Sequence, residues 1–242
     1  MIDAVFISDL HLHPQEVVIT ERFKNFIQWA SKNTKRVYIL GDFFHVWPGD
    51  DALDNWSESI AAQLSSLVSQ GIELYFMPGN RDFLLGERFL KLASMTRLNE
   101  PTIITLGITK VLLVHGDRYC IRDKGHRWLR RITRNSIFPR LFLRLSYEFR
   151  TKIVNSVRQH SQTNRSKSAS YMAVVESVMI KHMQKFDVNV LIHGHTHQPG
   201  LTVHEHCGLK YNQYVLSDWD DNPLLMCYDN PSGFYFVRFF GA

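Results

Sequence analysis

The stretch RVYILGDFFH, Arg36–His45, joins a β-branched apolar run to a cluster of glycine, aspartate and histidine. Such a run reads as a buried strand, and here it stops abruptly in polar residues. The construction recurs. DAVFIS leads into SDLHLH at Ser8–His13, ELYFM into PGNRD at Pro78–Asp82, KVLLV into HGD at His115–Asp117, and VNVLI into HGHTH at His193–His197. Between the first three runs, Glu21–Lys32 and Asn55–Gln70 carry helical periodicity. Strands alternating with helices imply parallel pairing through helical crossovers, and therefore an α/β sandwich. Open α/β sheets bind ligands beyond the carboxyl ends of their strands, so these polar clusters are placed to converge.

With 242 residues the chain is long enough for a sizeable core, and residues 1–242 are expected to form a single domain. A hydrophobic fraction of 45% and a charged fraction of 21% belong to a folded protein. The balance of 28 Lys+Arg against 23 Asp+Glu is mildly basic and favours anionic partners. Cys120, Cys207 and Cys227 lack paired spacing, which excludes a disulfide framework or a zinc ribbon and predicts free thiols in a reducing compartment. No apolar stretch approaches the roughly 20 residues needed to span a bilayer, and the N-terminus turns polar too early for a signal peptide. A cytoplasmic protein is expected, with attachment to a membrane surface still open to it.

From about Arg118 to Lys185 the strands give way to arginine-rich helical periodicity, with HSQTNRSKSAS near its middle. This predicts a helical insertion over residues 118–185. After Gly200, the runs LTVHEH, KYNQYVLS, PLLMCYD and GFYFVRFF read as strands with a turn at Asn230–Gly233. They predict antiparallel hairpins completing a second sheet. The aromatic residues of GFYFVRFF are expected to pack a core, and no nucleic-acid partner is expected.

The polar clusters supply Asp9, His11, Asp42, Asn80, His115, His195 and His197. His195 and His197, two apart on an extended segment, project toward one side. Oxygen and nitrogen donors without sulfur suit divalent manganese, iron or zinc. Seven ligands over-fill one site, whereas a carboxylate bridging two ions about 3.5–4 Å apart lets each reach four protein ligands. The expected division gives one ion Asp9, His11, Asp42 and His197, and the other Asp42, Asn80, His115 and His195, with Asp42 as bridge. Such a pair activates water and neutralises phosphate oxygens during in-line attack. His193 is expected to support the site without ligating. Arg81 is expected to contact phosphate in preference to pairing with a carboxylate, and Asp117 to orient His115 or cap the next turn.

The ordered set D-x-H, GD, GN-R-D, HGD and GHTH, here Asp9–His11, Gly41–Asp42, Gly79–Asp82, His115–Asp117 and Gly194–His197, resembles the calcineurin-like metallophosphoesterase superfamily. SDLHL, GDFFHVWPGDD, GNRDFLLG, LLVHGD, SQTNRSKS and LIHGHTHQP are similar to one branch of it, the bacterial enzymes that hydrolyse UDP-2,3-diacylglucosamine in lipid A biosynthesis. The likeness runs from about Phe6 to Pro199. It implies a four-layer αββα metallophosphoesterase sandwich with a helical cap and two divalent ions, usually Mn2+. The implied reaction is water attack on the α-phosphorus of the pyrophosphate, giving UMP and 2,3-diacylglucosamine 1-phosphate (lipid X).

The same likeness implies catalytic roles for Asp42, Asn80, Arg81 and His195. It implies substrate contacts from Asn80, Arg81, Asp123, Ser161, Asn164, Lys167 and His195. The interval from Ser161 to Asn164 is one residue shorter than in that branch, which leaves His160 as a rival for the place of Ser161. His45 stands where the branch carries glutamate. The implied location is the cytoplasmic face of the inner membrane of a Gram-negative bacterium, held peripherally. In the insertion, basic residues interleave with Trp128, Leu129, Ile132, Phe138, Leu141 and Leu145. That mixture can offer apolar surface to acyl chains and cations to anionic head groups, or it can be a solvated basic face. Two functional alternatives are another dimetal phosphoesterase, acting on a different nucleotide diphosphate or phosphodiester, and a non-catalytic scaffold on the same fold.

Overall fold

The structure, a computed structural model, describes residues 1–135, 137–163 and 173–239, and side chains there except those of Lys124, His126 and residues 158–163. The order begins β1 (Ala4–Ile7), α1 (Val17–Asn33), β2 (Arg36–Ile39), α2 (Asn55–Ser69), β3 (Glu73–Phe76), α3 (Glu87–Leu92), β4 (Thr96–Arg97), β5 (Thr102–Leu106) and β6 (Thr109–Leu113). Three helices follow, α4 (Lys124–Thr133), α5 (Ile137–Phe142) and α6 (Tyr147–Thr163), and then α7 (Glu176–Lys185). The chain closes with β7 (Val190–His193), β8 (Gly200–His206), β9 (Leu209–Val215), β10 (Leu224–Asp229) and β11 (Gly233–Arg238).

These strands make two sheets, ordered β11-β10-β1-β2-β3-β4 and β5-β6-β7-β9-β8. The run β1 to β4 is parallel, as are β6, β7 and β9. Alternation along each strand decides the layers. Val5, Ile7, Val37, Ile39 and Phe76 face the helices, where Phe23, Phe26, Leu64 and Phe89 bury against them. Their neighbours Ala4, Phe6 and Tyr38 face the other sheet and meet Val111, Leu113, Val190 and Ile192. On the far side of that second sheet, Leu112, Val114 and Leu191 are covered by Met179, Ile180 and Met183 of α7. The result is the expected αββα sandwich. Strands covered on both faces have no polar side to alternate with, which explains the unbroken apolarity of VYIL and VLI. At the start of α2, Asp54 accepts from the Ser57 backbone N–H at 2.8 Å while Ser57 Oγ accepts from the Asp54 N–H at 2.9 Å, a reciprocal cap.

Only one of the two C-terminal hairpins completes the second sheet. β8–β9 joins it beside β7, but β10–β11 joins the first sheet, where β10 pairs antiparallel with β1. Leu225 and Cys227 enter the helix-side core while Met226 and Tyr228 enter the core between the sheets. β10 therefore needs cover on both faces, and its sequence does not say which sheet edge provides it. α7 lies within the stretch 118–185 yet serves as the outer layer of the second sheet. The helices α4 to α6 stand at the carboxyl ends of the strands: Arg134 Nη2 donates to the carbonyl of Pro78 at 2.9 Å, the Phe138 ring lies 6.4 Å from that of Phe83, and Arg150 reaches the carbonyl of Pro48. No disulfide joins Cys120, Cys207 and Cys227.

Phe44, just beyond Asp42, is fully buried among the rings of Phe43, Trp47, Trp56 and Phe89. Phe44→Ala is expected to cost about 3–5 kcal/mol of unfolding free energy. Urea denaturation followed by tryptophan fluorescence checks this, and a loss below about 1 kcal/mol would contradict the packing described.

Candidate metal centre

Each cluster leaves the carboxyl end of a strand and is locked to its neighbours through the backbone. The segments after β1 and β2 zip together: Asp9 N donates to Gly41 O, His11 N to Asp42 O, Leu12 N to Phe43 O and His45 N to Leu12 O, all within 2.8–3.0 Å. Asp82 ties in the segment after β3. Its buried carboxylate accepts from the N–H groups of Gly79 at 2.7 Å, Phe43 at 2.7 Å and Asp42 at 3.3 Å. Gly194 N donates to His115 O at 2.8 Å, and His195 N donates to Asp9 Oδ2 at 2.8 Å, closing the ring across the two sheets. A Cβ on Gly194 would lie 2.2 Å from that same carboxylate oxygen, so the approach needs glycine.

Five of the seven expected ligands meet in two overlapping groups, Asp9 with His11 and His197, and Asp9 with Asp42 and His115; within each group the candidate donor atoms lie within 4.8 Å of one another. Asn80 joins the second group through Oδ1, 2.9 Å from Nε2 of His115. The His195 ring centroid lies 5.1 Å from that of His115. The carboxylate common to both groups is that of Asp9, with Asp42 in the second. β7 ends at His193, so His195 and His197 do not owe their placement to strand alternation. They sit on turns with φ of 69° and 53°, and Asp9, His11 and Asp42 have φ of 55°, 52° and 52°. Left-handed backbone in non-glycine residues costs energy and gathers at functional sites.

The electrostatics suit a cation. Both ring nitrogens of His11, and Oδ1 of Asp9, are buried without a hydrogen-bond partner. Asp9 Oδ1 does lie 3.3 Å from His197 Nε2, as an ion pair without hydrogen-bond geometry. Burial opposes ionisation of Asp9, but His197, His115 and His11 outweigh it and hold the carboxyl far below its ordinary range. Burial and the nearby Arg81 charge keep His11 well below its ordinary value. Burial pushes His195 down to about 3, helped by His115. For His197 burial is overcome by Asp218 and Asp9, which lift it to about 10. His115 is raised as well, because Asp42, Asp9 and Asp117 outweigh its burial. Its Nδ1 faces the Leu40 carbonyl oxygen at 2.9 Å, an atom that can only accept, so Nδ1 carries a hydrogen and Nε2 points into the centre. Orphaned nitrogens, an orphaned carboxylate oxygen and an oxygen–nitrogen donor set fit divalent metal ions.

Arg81 stands beside a ligand carboxylate, its Nε 3.2 Å from Asp42 Oδ2 and its backbone N–H donating to Asp42 Oδ1 at 3.0 Å. Asp117 neither caps the following turn nor bonds to the His115 ring, since its carboxylate faces Arg130 Nε at 3.1 Å. Both ring nitrogens of His193 have partners outside the ligand set: its Nε2 meets Gln213 Nε2 at 2.8 Å and its Nδ1 the Gly194 carbonyl at 2.8 Å. The His13 and His45 rings pack edge to face, 5.2 Å apart. Asp123 precedes α4, where its carbonyl accepts from Arg127 N at 3.0 Å. The side chain of Ser161 and its rival His160, together with Asn164 and Lys167, lie outside the described residues. Sequence reasoning missed Asp218, whose Oδ2 lies 3.2 Å from His197 Nδ1, and gave Asp82 no role.

Residues 3–199 match the family described as calcineurin-like phosphoesterase. The chain belongs to that family. Its relatives include the UDP-2,3-diacylglucosamine hydrolase of Pseudomonas putida, 39% identical over 217 residues that cover 89% of this chain and 90% of that one. The UDP-2,3-diacylglucosamine hydrolase of Vibrio parahaemolyticus is 38% identical over 216 residues, 89% of each chain. A calcineurin-like phosphoesterase is a metal-dependent hydrolase, and among the described residues the two groups sharing Asp9 are the candidate ligands this chain offers. A carboxylate behind a ligating histidine fixes the ring and raises its basicity. Asp218→Asn is therefore expected to weaken binding of a divalent ion about ten- to a hundredfold, measured by titrating Mn2+ into chelator-treated protein. Unchanged affinity would remove Asp218 from the centre.

Proposed function

We propose that this protein hydrolyses the pyrophosphate bond of UDP-2,3-diacylglucosamine, releasing UMP and 2,3-diacylglucosamine 1-phosphate in lipid A biosynthesis. The observation that carries the reading is the pair of overlapping ligand groups joined through Asp9, in a chain 38–39% identical to enzymes of that name over 89% of its length. One divalent ion would be held by Asp9, His11, Asp42 and His197, and the other by Asp42, Asn80, His115 and His195, with Mn2+ as the resident metal and Asp42, whose carboxylate lies beside that of Asp9 in the second group, common to both. When bound, such ions lower the pKa of water and neutralise phosphate oxygens.

The chain's own groups do the rest. Arg81 is half-buried, with its guanidinium already at the centre, and it presents a fixed cation to the α-phosphate as Asn80 presents its amide. His195, neutral at pH 7 because of its burial, offers a lone pair at the same edge. Attack by water on the α-phosphorus breaks the bond to the bridging oxygen, and the lipid sugar phosphate departs. Asp123, Ser161, Asn164 and Lys167 contact the head group, with His160 the rival of Ser161.

The cap supports a lipid substrate. Trp128, Ile137, Leu141 and Phe149 are 67%, 60%, 55% and 53% exposed, and the exposed Arg127, Arg131, Arg140 and Arg144 lie among them. No helix among the described residues is long and apolar enough to cross a membrane. Residues 1–242 act as one domain, peripheral on the cytoplasmic face of the inner membrane, with acyl chains over the apolar part of the cap and arginines against anionic head groups.

Hydrolysis in oxygen-18 water is expected to place the label in UMP; label in the sugar phosphate would refute attack on the α-phosphorus. Asp42→Ala is expected to abolish turnover and Mn2+ uptake in a chain that still melts cooperatively, and near-normal activity would count against its bridging role. Co-sedimentation with vesicles of anionic phospholipid is expected to fall when Trp128 and Leu141 are both changed to serine. Equal sedimentation of the two proteins would assign the cap's apolar residues to another purpose.

A further inference from the structure

The helix α4 is joined to the centre by a buried ion cluster that none of the expected site residues explains. Glu100, on the segment leading to β5, has a side chain only 4% exposed, and that of Asp117 is fully buried. Two arginines of α4's end approach them. Arg130 sets Nη2 at 3.1 Å from Glu100 Oε2 and Nε at 3.1 Å from Asp117 Oδ2. Arg134, one turn on, sets Nη2 at 3.4 Å from the same Glu100 oxygen and donates to the Pro78 carbonyl at 2.9 Å. The other oxygen of Glu100, Oε1, accepts the backbone N–H of His115 at 3.2 Å. Pro78 and Gly79 lead directly into Asn80, which meets His115 Nε2 at 2.9 Å. One cluster thus grips both segments that bear the Asn80–His115 half of the centre, and among the described residues no hydrogen bond or ion pair ties it directly to Asp9, His11 or His197.

We propose that Arg130 and Arg134 are positioning residues for the Asn80–His115 half of the metal centre, acting through Glu100 and Asp117, so that the first helix of the cap is part of the scaffold of the site and not a lid over it. The proposal rests on the two-ion reading above. The chemistry favours it over a general packing role. Buried charges hold their geometry only when every partner is in place, and the carboxylate of Glu100 divides its two oxygens between α4 and the His115 backbone. A displacement of α4 therefore moves the ligand-bearing backbone.

The test is calorimetric titration of Mn2+ into chelator-treated wild-type, Arg134→Gln and Glu100→Gln proteins, with kcat and KM measured on the lipid-linked nucleotide. Glu100→Gln keeps an oxygen for the His115 N–H and nearly the native shape, so it decides the matter if Arg134→Gln does not fold. The expected result is that one of two Mn2+ sites weakens about tenfold or more while the other stays within about twofold. In the same variants kcat falls by a similar factor with KM nearly unchanged. Both sites weakening alike, or neither moving, overturns the proposal; a rise in KM alone would make these arginines substrate contacts and overturn it equally. Wild-type protein that takes up no Mn2+ would instead refute the two-ion reading itself.

Discussion

The buried carboxylate of Asp82, accepting three backbone N–H groups from Gly79, Phe43 and Asp42, is the contact on which the geometry of the centre depends. It draws the segments after β2 and β3 so close that a Cβ on Gly79 would lie 2.2 Å from Asp42 Oδ1, and one on Gly41 would lie 2.5 Å from the Gly79 Cα. Both positions therefore demand glycine, and Gly41 also takes φ of 89°. The arrangement carries a cost, because burial and the adjacent Asp42 charge push Asp82 up to about 6. The donated N–H groups offset that cost. Once the clamp is closed, Asp42, Asn80 and Arg81 are fixed relative to one another, and the backbone zipper from Asp9 to Leu12 extends the same frame to the end of β1.

Strain and charge then act on the same residues. Asp9, His11, Asp42, His195 and His197 all hold left-handed backbone, each at about 1–3 kcal/mol. These turns aim side chains from strands in different sheets at one point. The carboxylates gathered there draw protons onto His115 and His197, while burial strips them from His11 and His195. Four histidines in one pocket are thus pushed in opposite directions by their surroundings. A divalent cation held there would resolve this conflict by supplying the positive charge that the carboxylates attract, without asking a buried imidazole to carry it.

Those features were readable in the sequence to the extent that they were local. A strand buried on both faces shows as an apolar run, and a strand-end ligand shows as a polar cluster straight after it, so RVYIL-GD and VLIHGHTH announced both the layer and the site. Spacing alone explains the direction of neither pair, Asp9 with His11 or His195 with His197, because β1 stops at Ile7 and β7 at His193, and all four residues take left-handed backbone beyond the strand. Asp218, Glu100 and the pairing of β10 with β1 were hidden for a different reason. Each is one residue or one strand meeting a partner far along the chain, and neither composition nor periodicity records which distant partner a buried group will find. Asp82 stood within a quoted motif, yet its work is done on backbone N–H groups, which every residue but proline possesses and no side-chain pattern reveals.

The basic insertion shows the same limit in electrostatic form. Counted from sequence, its arginines are one population that can be either a solvated face or a binding surface. The structure divides them. Arg130, Arg134 and Arg150 turn inward against Glu100, Asp117 and Asp51, so their charge is spent on holding the cap to the core. Arg127, Arg131, Arg140 and Arg144 remain exposed among Trp128, Ile137 and Leu141. Removing the first set from the count leaves a smaller positive surface, but one mixed with apolar side chains. Isolated cations on water-facing helices need no such neighbours, whereas an amphipathic interface with a lipid requires both together. The division by burial, more than the total charge, is what favours an acylated anionic substrate over a solvated surface at this edge of the sandwich.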